Sequence, residues 1–186
     1  STLYIRMTNN LKNIQTEEVE LIAACIRHDR IAQKRLYEKY CKNMFTVTYR
    51  ILNDYDNSND ALQEAFIEVF KNITSFRNES SLGTWIKTIV VRKALNKLKG
   101  ESRFESLESV RNTEIYDWSD GFTAEYLNKA IFSLPDGARA VFTLIEIEGY
   151  SHKEVASMLN ISEGTSKSQL HYSKQQLQKK IKELYQ

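Results

Sequence analysis

The stretch Tyr150–Tyr172 reads YSHKEVASMLNISEGTSKSQLHY and decides how the C-terminal part of the chain folds. Ser151 and Glu154 have the spacing of a capping box, in which each side chain bonds the other residue's backbone amide at a helix start. Asn160 tolerates the left-handed conformation that ends a helix, and Ser162 can cap a second helix. The spacing therefore predicts two helices joined by about three residues, the arrangement of a helix-turn-helix unit.

The predicted unit has a small apolar core and a polar second helix. Ala156 is small where the two helices approach, and Val155, Leu159, Ile161 and Leu170 can pack around it. The first turns of the second helix of such a unit enter the major groove of DNA. The alternative is an ordinary helical hairpin with a hydrophilic outside. The capping box, the short turn and the small residue favour DNA binding, with these candidate contacts: Glu163, Thr165, Lys167, Ser168, Gln169 and His171.

The rest of the chain has helical periodicity and no persistent alternation of the kind that strands show. The predicted helices span about residues 17–28, 31–53, 58–73, 84–99, 124–132 and 135–148. Asn53–Asn59 (NDYDNSN) has turn chemistry, and Asn57 or Ser58 is predicted to cap the helix that follows. The predicted fold class is all-α.

Charge is more informative in its distribution than in its total of +2. Asp54–Phe70 holds five acids and no base, whereas Ile86–Lys99 holds five bases and no acid. Glu101–Phe122 carries six acids and two bases, and Ser151–Gln186 carries six lysines and three glutamates. One such run is most simply a solvated helix face. Two basic helices separated by acidic segments instead indicate two contacts with a polyanion.

The acidic segment after Gly100 also lacks sustained periodicity and is rich in Ser and Asn. So long an unstructured stretch is improbable inside one compact domain, which favours two domains. We predict an N-terminal extension (1–16), two small helical domains (17–100 and 123–186) and a flexible acidic linker (101–122) between them.

Several functional classes are excluded by what the sequence lacks. Cys25 and Cys41 form neither a disulfide framework nor a metal motif with the three histidines, and they are interpreted as small buried residues. Neither a phosphate-binding glycine loop nor a nucleophile–base set is visible. No apolar run is long enough to cross a bilayer, and no secretory leader is visible. We expect a cytoplasmic protein that is not an enzyme and has no metal, cofactor or small-molecule substrate.

Two sets of motifs resemble one family. Phe132–Phe142 (FSLPDGARAVF), Glu148–Ser151 (EGYS), Ile161–Thr165 (ISEGT) and Lys167–Ser168 are similar to region four of extracytoplasmic-function (ECF) sigma factors. Region two of the same family resembles the N-terminal half, in which DALQEAF is followed by the motifs FR, SS and TWI: Asp60–Phe66, Phe76–Arg77, Ser80–Ser81 and Thr84–Ile86. The two sets stand in the family's order and span about residues 17–184.

The resemblance implies a dissociable, non-catalytic subunit that directs bacterial RNA polymerase to particular promoters. Region two would bind the clamp helices of the largest polymerase subunit, and region four would meet the flap region. The residues that match the clamp-binding surface are Asp60, Gln63, Glu64 and Ile67. Acids and an amide beside one apolar side chain suit a basic helical partner.

The resemblance also implies two promoter contacts. The minus-ten element would be opened and held by cations and an aromatic pocket, for which the candidates are Phe76, Arg77, Asn78, Ser80, Arg92, Lys93 and Lys97. Trp85 is interpreted as a core residue. The minus-thirty-five element would be read as duplex by the final helix, where Tyr172 joins the candidates above. The acidic linker would enter the basic nucleic-acid channel of the polymerase.

The sequence departs from the family at Ser166, where a β-branched apolar residue is common, and at Gln169 and Tyr172, where arginine is common. Arg92 stands where asparagine is frequent. Fewer cations in the final helix predict a weaker salt dependence of binding to the upstream element. The family further implies a membrane-anchored anti-sigma factor as a partner. The alternative to a sigma factor is a stand-alone helix-turn-helix regulator, which would bind DNA without polymerase.

Overall fold

The computed structural model describes residues 15–101 and 124–184, and all regular structure in those ranges is helical. We call residues 15–101 the N-terminal domain and residues 124–184 the C-terminal domain. The N-terminal domain contains α1 (residues 15–26), α2 (Arg30–Leu52), α3 (Tyr55–Asn72), a 3-10 turn (Ile73–Ser75) and α4 (Leu82–Glu101). The C-terminal domain contains α5 (Ala124–Phe132), α6 (Asp136–Phe142), a π-helical turn (Thr143–Ile147), α7 (His152–Leu159) and α8 (Glu163–Leu184). The all-α prediction is confirmed for these residues.

The proposed N-terminal extension (1–16) and acidic linker (101–122) fall almost entirely outside the described residues. Their boundaries stay predictions. At the edges, residues 15 and 16 already belong to α1, and α4 continues past Gly100 to Glu101.

The predicted start of α3 is wrong by about three residues. Asp54, rather than Asn57 or Ser58, caps the helix, because its carboxylate accepts a hydrogen bond from the Asn57 amide at 2.8 Å. The Ser58 hydroxyl is buried and donates to the Asp54 carbonyl. Most of NDYDNSN is therefore the first turns of a helix, and only Asn53 and Asp54 connect α2 to α3. A sequence with several capping residues in a row leaves the choice among them to packing.

The four helices of the N-terminal domain enclose an apolar core. Leu36, Ile86 and Val90 are among its fully buried side chains, and the Phe66 ring meets the Tyr37 ring edge-on at 4.9 Å. Cys25 is completely buried here, which raises the pKa of its thiol above the ordinary value, and the nearby Asp29 carboxylate raises it further.

The helix-turn-helix unit of the C-terminal domain forms as the sequence predicts. Ser151 accepts from the Glu154 amide, the Glu154 carboxylate accepts from the Ser151 amide, and Asn160 is left-handed with φ 56°. The predicted miniature core is confirmed, with Val155, Ala156, Leu159 and Leu170 buried and Ile161 packed against them.

The two domains lie against each other. One apolar cluster contains Ile51, Val91 and Leu95 of the N-terminal domain together with Val141 and Leu159 of the C-terminal domain. Helix α6 packs against α2, and α7 packs against α4. Burial of this shared surface holds both domains in one orientation.

Polar contacts reinforce this shared apolar surface, which we call the joint between the domains. The Arg139 side chain is 2% exposed, and its guanidinium donates to the Leu134 carbonyl at 2.8 Å and, across the joint, to the Ile51 carbonyl at 3.3 Å. Lys99 Nζ donates to the Met158 carbonyl at 2.7 Å, which ties α4 to α7. The Ile51 and Met158 carbonyls lie in the last turns of α2 and α7, where carbonyls lack partners within their own helix.

Candidate nucleic-acid interface

The acidic surface of α3 consists of residues three and four positions apart. Asp60, Gln63, Glu64 and Ile67 are all exposed, and Ile67 is 55% exposed in spite of its apolar side chain. Residues at this spacing share one face of a helix. The structure thus places the four residues predicted to bind polymerase on one continuous surface, which we call the α3 face.

Three basic residues of α4, Arg92, Lys93 and Lys97, point toward acids of α3 rather than away from the protein. Lys97 Nζ lies 3.2 Å from a carboxylate oxygen of Glu64 and 3.8 Å from one of Asp60. Lys93 Nζ lies 2.8 Å from Glu68, which also pairs with Arg92. The predicted minus-ten cations and the predicted polymerase-binding acids are therefore neighbours, an arrangement the sequence motifs alone do not show.

Glu68 is a residue that the motif analysis missed. The hydrogen bond from Lys93 is the largest effect on the Glu68 carboxyl, and the resulting pKa lies below its ordinary value. Burial opposes this effect, and the positive charges of Arg92 and Lys93 add to the lowering. The sequence pattern that could have identified Glu68 is its position four residues after Glu64, in register with the acids of the α3 face.

The loop between α3 and α4 presents polar residues to solvent. Arg77, Asn78 and Ser80 are exposed, and Asn78 is left-handed with φ 57°, a conformation that asparagine adopts more readily than most residues. Phe76 is half-buried, with its ring 5.5 Å from that of Trp85. Both rings pack against the N-terminal core, as predicted for Trp85.

The first turns of α8 divide into an exposed and a sheltered side. Glu163, Lys167 and Ser168 are exposed, while Thr165, His171 and Tyr172 are half-buried. The Ser162 hydroxyl accepts from the Thr165 amide at 3.0 Å, which caps the helix at its predicted residue. The accessible part of the predicted contact set is therefore narrow and includes one cation.

Gln169 is placed differently from its exposed neighbours. It is 5% exposed, and its Oε1 has no hydrogen-bond partner among the described residues. A direct contact of Gln169 with DNA stays a prediction, and it requires the side chain to leave this buried position.

Ser166 occupies the position where the family often has a β-branched apolar residue. It is fully buried, and its hydroxyl pairs with His152 Nδ1 at 2.8 Å, which links the two helices of the unit. No sequence motif links His152 to Ser166, because the two residues are separated by fourteen positions.

No group of metal-ligating side chains occurs within residues 15–101 and 124–184. Over the same ranges, no helix is both long and apolar enough to span a membrane.

Comparison with known proteins connects these surfaces to a family. The family model described as sigma-70 region 2 matches residues 36–104, and the one described as sigma-70 region 4 matches residues 124–177. The ECF RNA polymerase sigma factor SigM of Mycobacterium tuberculosis is 27% identical over 158 residues, which cover 83% of this chain and 79% of SigM. The chain is an ECF sigma factor of the sigma-70 family.

Further comparisons add one more relative and two structures of similar fold. The RNA polymerase sigma-H factor of Pseudomonas aeruginosa is 26% identical over 187 residues, covering 91% of this chain and 96% of that protein. The fold resembles the sigma factor RpoE of Bartonella quintana in complex with the anti-sigma factor NepR, with a TM-score of 0.50 and 19% identity over 80% of this chain and 96% of RpoE. It also resembles CnrH in complex with the cytosolic domain of CnrY, with a TM-score of 0.51 and 17% identity over 87% of this chain and 95% of CnrH.

This sigma factor thus acts in promoter recognition by RNA polymerase, and its family consists of transcription initiation factors rather than enzymes. The presence of both regions in their family order does not favour the alternative of a stand-alone regulator.

Proposed function

We propose that this sigma factor divides its work among three surfaces: the α3 face binds core polymerase, the α3–α4 loop with the bases of α4 holds the minus-ten element, and the start of α8 reads the minus-thirty-five element. The proposal is supported above all by the capped, partly exposed first turn of α8 in a helix-turn-helix unit. Such a helix can enter the major groove with its N-terminal residues toward the bases.

For the polymerase, the proposed contact is between the α3 face and the basic clamp helices of the largest subunit. Asp60 and Glu64 keep 64% and 51% of their side chains exposed although both lie near Lys97. Exposed Ile67 adds an apolar contact beside the acids. Charge complementarity of this kind increases the association rate and selects the partner.

For the minus-ten element, the exposed loop residues Arg77, Asn78 and Ser80 are proposed to contact the separated strand. Arg92 is 57% exposed and can add a backbone contact. Phe76 is half-buried, so its proposed role is to form one wall of a pocket for an unpaired base together with Trp85.

For the minus-thirty-five element, Lys167 and Ser168 are the proposed major-groove contacts. Lysine can bind guanine or phosphate, and serine can bond any base. With a single exposed cation in these turns, we expect a shallow salt dependence, because each phosphate neutralised on duplex DNA contributes a slope of about −0.9 in log K against log salt.

The remaining partners follow the family. Region four is proposed to meet the polymerase flap region, and an anti-sigma factor, membrane-anchored as the family suggests, is proposed to restrain activity. A protein of similar fold, the sigma factor RpoE of Bartonella quintana, was co-crystallised with the anti-sigma factor NepR, which supports this partner class. The protein is proposed to act in the cytoplasm, where polymerase and DNA are found. It is proposed to have no small-molecule substrate.

Run-off transcription with purified core polymerase on genomic promoter fragments tests the proposal. Core polymerase with this protein should give discrete transcripts that core polymerase alone does not give.

Asp60→Asn/Glu64→Gln should weaken holoenzyme formation about tenfold. The matched control is Glu20→Gln/Glu38→Gln, which removes the same charge from exposed positions of α1 and α2. Identical transcripts with and without the protein, or tight binding of promoter duplex by the protein alone, would contradict the proposal.

A further inference from the structure

All five bases of the Ile86–Lys99 run are engaged by other parts of the protein. Besides the contacts of Arg92, Lys93 and Lys97 with acids of α3, Lys87 Nζ lies 3.1 Å from Glu148 of the C-terminal domain. Lys99 is bound by the Met158 carbonyl at 2.7 Å. Four of the five bases of the helix expected to bind a polyanion thus lie against carboxylates of the same molecule, and the fifth, Lys99, is bound by a neutral carbonyl.

The acids that neutralise Lys97 belong to the α3 face. Helices α3 and α4 run antiparallel, so Asp60 and Glu64, in the second and third turns of α3, meet Lys97 near the end of α4. Lys97 is 22% exposed, whereas its two partners are 64% and 51% exposed. A partner in solution can therefore reach the acids while the lysine stays covered.

We propose that Asp60 and Glu64 have two alternative partners: Lys97 in the free protein and a basic polymerase helix in the holoenzyme. Binding of polymerase then draws the carboxylates away from Lys97, and the released ammonium becomes available to the phosphates of the minus-ten strand. The polymerase step rests on the proposed function of the α3 face. The free sigma factor thus covers one cation of its DNA-binding helix, Lys97, with the residues that its activating partner needs.

Glu68 does not take part in the proposed exchange of partners. It follows Glu64 by four residues, in register with the acids of the α3 face, but it is only 24% exposed and bonds both Arg92 and Lys93. These two cations accordingly keep their partner when polymerase binds, and Lys97 is the cation whose partner changes.

The energy scale suits a reversible exchange. Ion pairs between exposed side chains contribute little to stability, because solvent screens them and both side chains lose conformational freedom. A basic helix with several cations can therefore displace Lys97. Coupling between two binding events is reciprocal, so DNA bound by Lys97 also strengthens polymerase binding.

The test measures binding of the full-length free protein to a fluorescent single strand of about 16 nucleotides, the upper end of the site sizes of OB-fold single-strand-binding domains. Asp60→Asn/Glu64→Gln should bind about three- to tenfold more tightly than the unmodified protein, the size expected when weak ion pairs are replaced by a phosphate contact. The slope of log K against log salt should steepen by about 0.7, the contribution of one phosphate contact on single strands. The same variant binds polymerase more weakly under the proposed function, so the two affinities move in opposite directions.

Two controls separate unmasking from a general change in charge. Glu20→Gln/Glu38→Gln changes net charge equally, but Glu38 pairs with Lys34 of its own helix, so DNA affinity should change by less than about twofold. In a Lys97→Gln background, Asp60→Asn/Glu64→Gln should lose its effect, because the released cation is missing.

The inference is overturned if the acid substitutions tighten binding equally with Lys97→Gln, if they leave affinity and salt slope unchanged, or if no variant binds the strand. Run-off transcription tests the proposed function separately. If the unmodified protein supports transcription but the acid substitutions leave DNA affinity unchanged, only the covering of Lys97 is refuted. If the substitutions tighten DNA binding only when Lys97 is present, but the protein does not bind polymerase, the covering of Lys97 stands and its release by polymerase is refuted.

Discussion

Two buried hydroxyls in the C-terminal domain, those of Ser166 and Ser173, are paired across helices, and each pair fixes a relative position. His152 and Ser166 join α7 to α8, and the Ser173 hydroxyl donates to the Ala138 carbonyl at 2.9 Å, which joins α8 to α6. A buried hydroxyl without a partner would lose its hydrogen bonds to water without compensation. Such pairs therefore specify helix positions more narrowly than apolar packing does.

Replacing His152 by Ala should lower the free energy of unfolding by about 1–2 kcal/mol, because the buried Ser166 hydroxyl loses its partner. Adding Ser166→Ala should recover part of that loss, since removal of both polar groups leaves none unsatisfied. Urea unfolding measures both values. His171→Ala is the matched control, because His171 is half-buried in the same unit. Equal losses for His152→Ala and His171→Ala would show that the pair contributes no stability.

The lowered pKa of Glu68 makes stability depend on pH. A carboxyl whose pKa is lower in the folded than in the unfolded state stabilises the fold at pH values above its unfolded pKa, and this contribution disappears as the pH falls through the folded pKa. The unfolded value is near 4.5, so stability should decrease as the pH falls below it. Glu68→Gln should be less stable at neutral pH and should show a flatter decrease. Thermal unfolding between neutral and acid pH measures the difference, and parallel curves for both proteins would contradict it.

Helix ends in this protein are set by residues that capture the free backbone groups of the first and last turns. Asp29 accepts from the amides of Ile31 and Ala32 at the start of α2, and the amide of left-handed Asn53 bonds the Tyr49 carbonyl at its end. Capping also sets both ends of α7, which has only eight residues. Ser151 caps its start, and left-handed Asn160 caps its end. A helix this short depends on its caps and its packing, because isolated helices of that length are marginal in water.

Ser151→Ala should lower the free energy of unfolding by about 1 kcal/mol, because it removes one half of the capping box. Binding of the minus-thirty-five duplex by the holoenzyme should weaken as well, because α7 supports α8. The control is Ser157→Ala, an exposed position inside the same helix, where the effect should stay within about 0.5 kcal/mol. Unfolding and filter-binding measurements check both effects. A Ser151→Ala protein as stable as Ser157→Ala would contradict the role of the cap.

The two domains share an apolar joint flanked by polar contacts that cross between them. Tyr150 is half-buried there, and burial raises the pKa of its phenol although the hydrogen bond with Thr88 of α4 opposes that effect. The Phe132 and Tyr49 rings stand 5.1 Å apart on the other side of the joint. The bases of α4 thus meet acids of their own domain and a carboxylate of the other domain, so the joint takes part in covering this helix.

A double-mutant cycle on Lys87 and Glu148 should detect the joint in solution. Their side chains are 26% and 9% exposed, so Lys87→Gln and Glu148→Gln should be coupled by about 0.5–1 kcal/mol in unfolding free energy. Lys34 combined with Glu148 should give no coupling, because Lys34 lies near Glu38 of its own helix. Equal coupling in the two cycles, or none in either, would show that the domains do not meet at this pair.

The local features of this protein could be read from its sequence because each depends on groups a few residues apart. The bounds of α5 (124–132), the capping box and the left-handed Asn160 were predicted and are confirmed. The cap of α3 was predicted wrongly, since several residues of NDYDNSN can serve and packing selects Asp54. The polymerase and promoter residues were identified by motif, and their roles stay predictions.

Contacts between distant positions were set by the fold. Nothing in the charge runs indicated that Lys97 meets Asp60 and Glu64, or that Arg139 reaches the Ile51 carbonyl 88 positions away. Helix periodicity and capping are encoded in neighbouring residues, whereas the pairing of charges depends on how helices pack, to which the whole chain contributes. The order of residues therefore established the helices and the two regions of a sigma factor, and the packing of those helices determined that its acids and bases face each other.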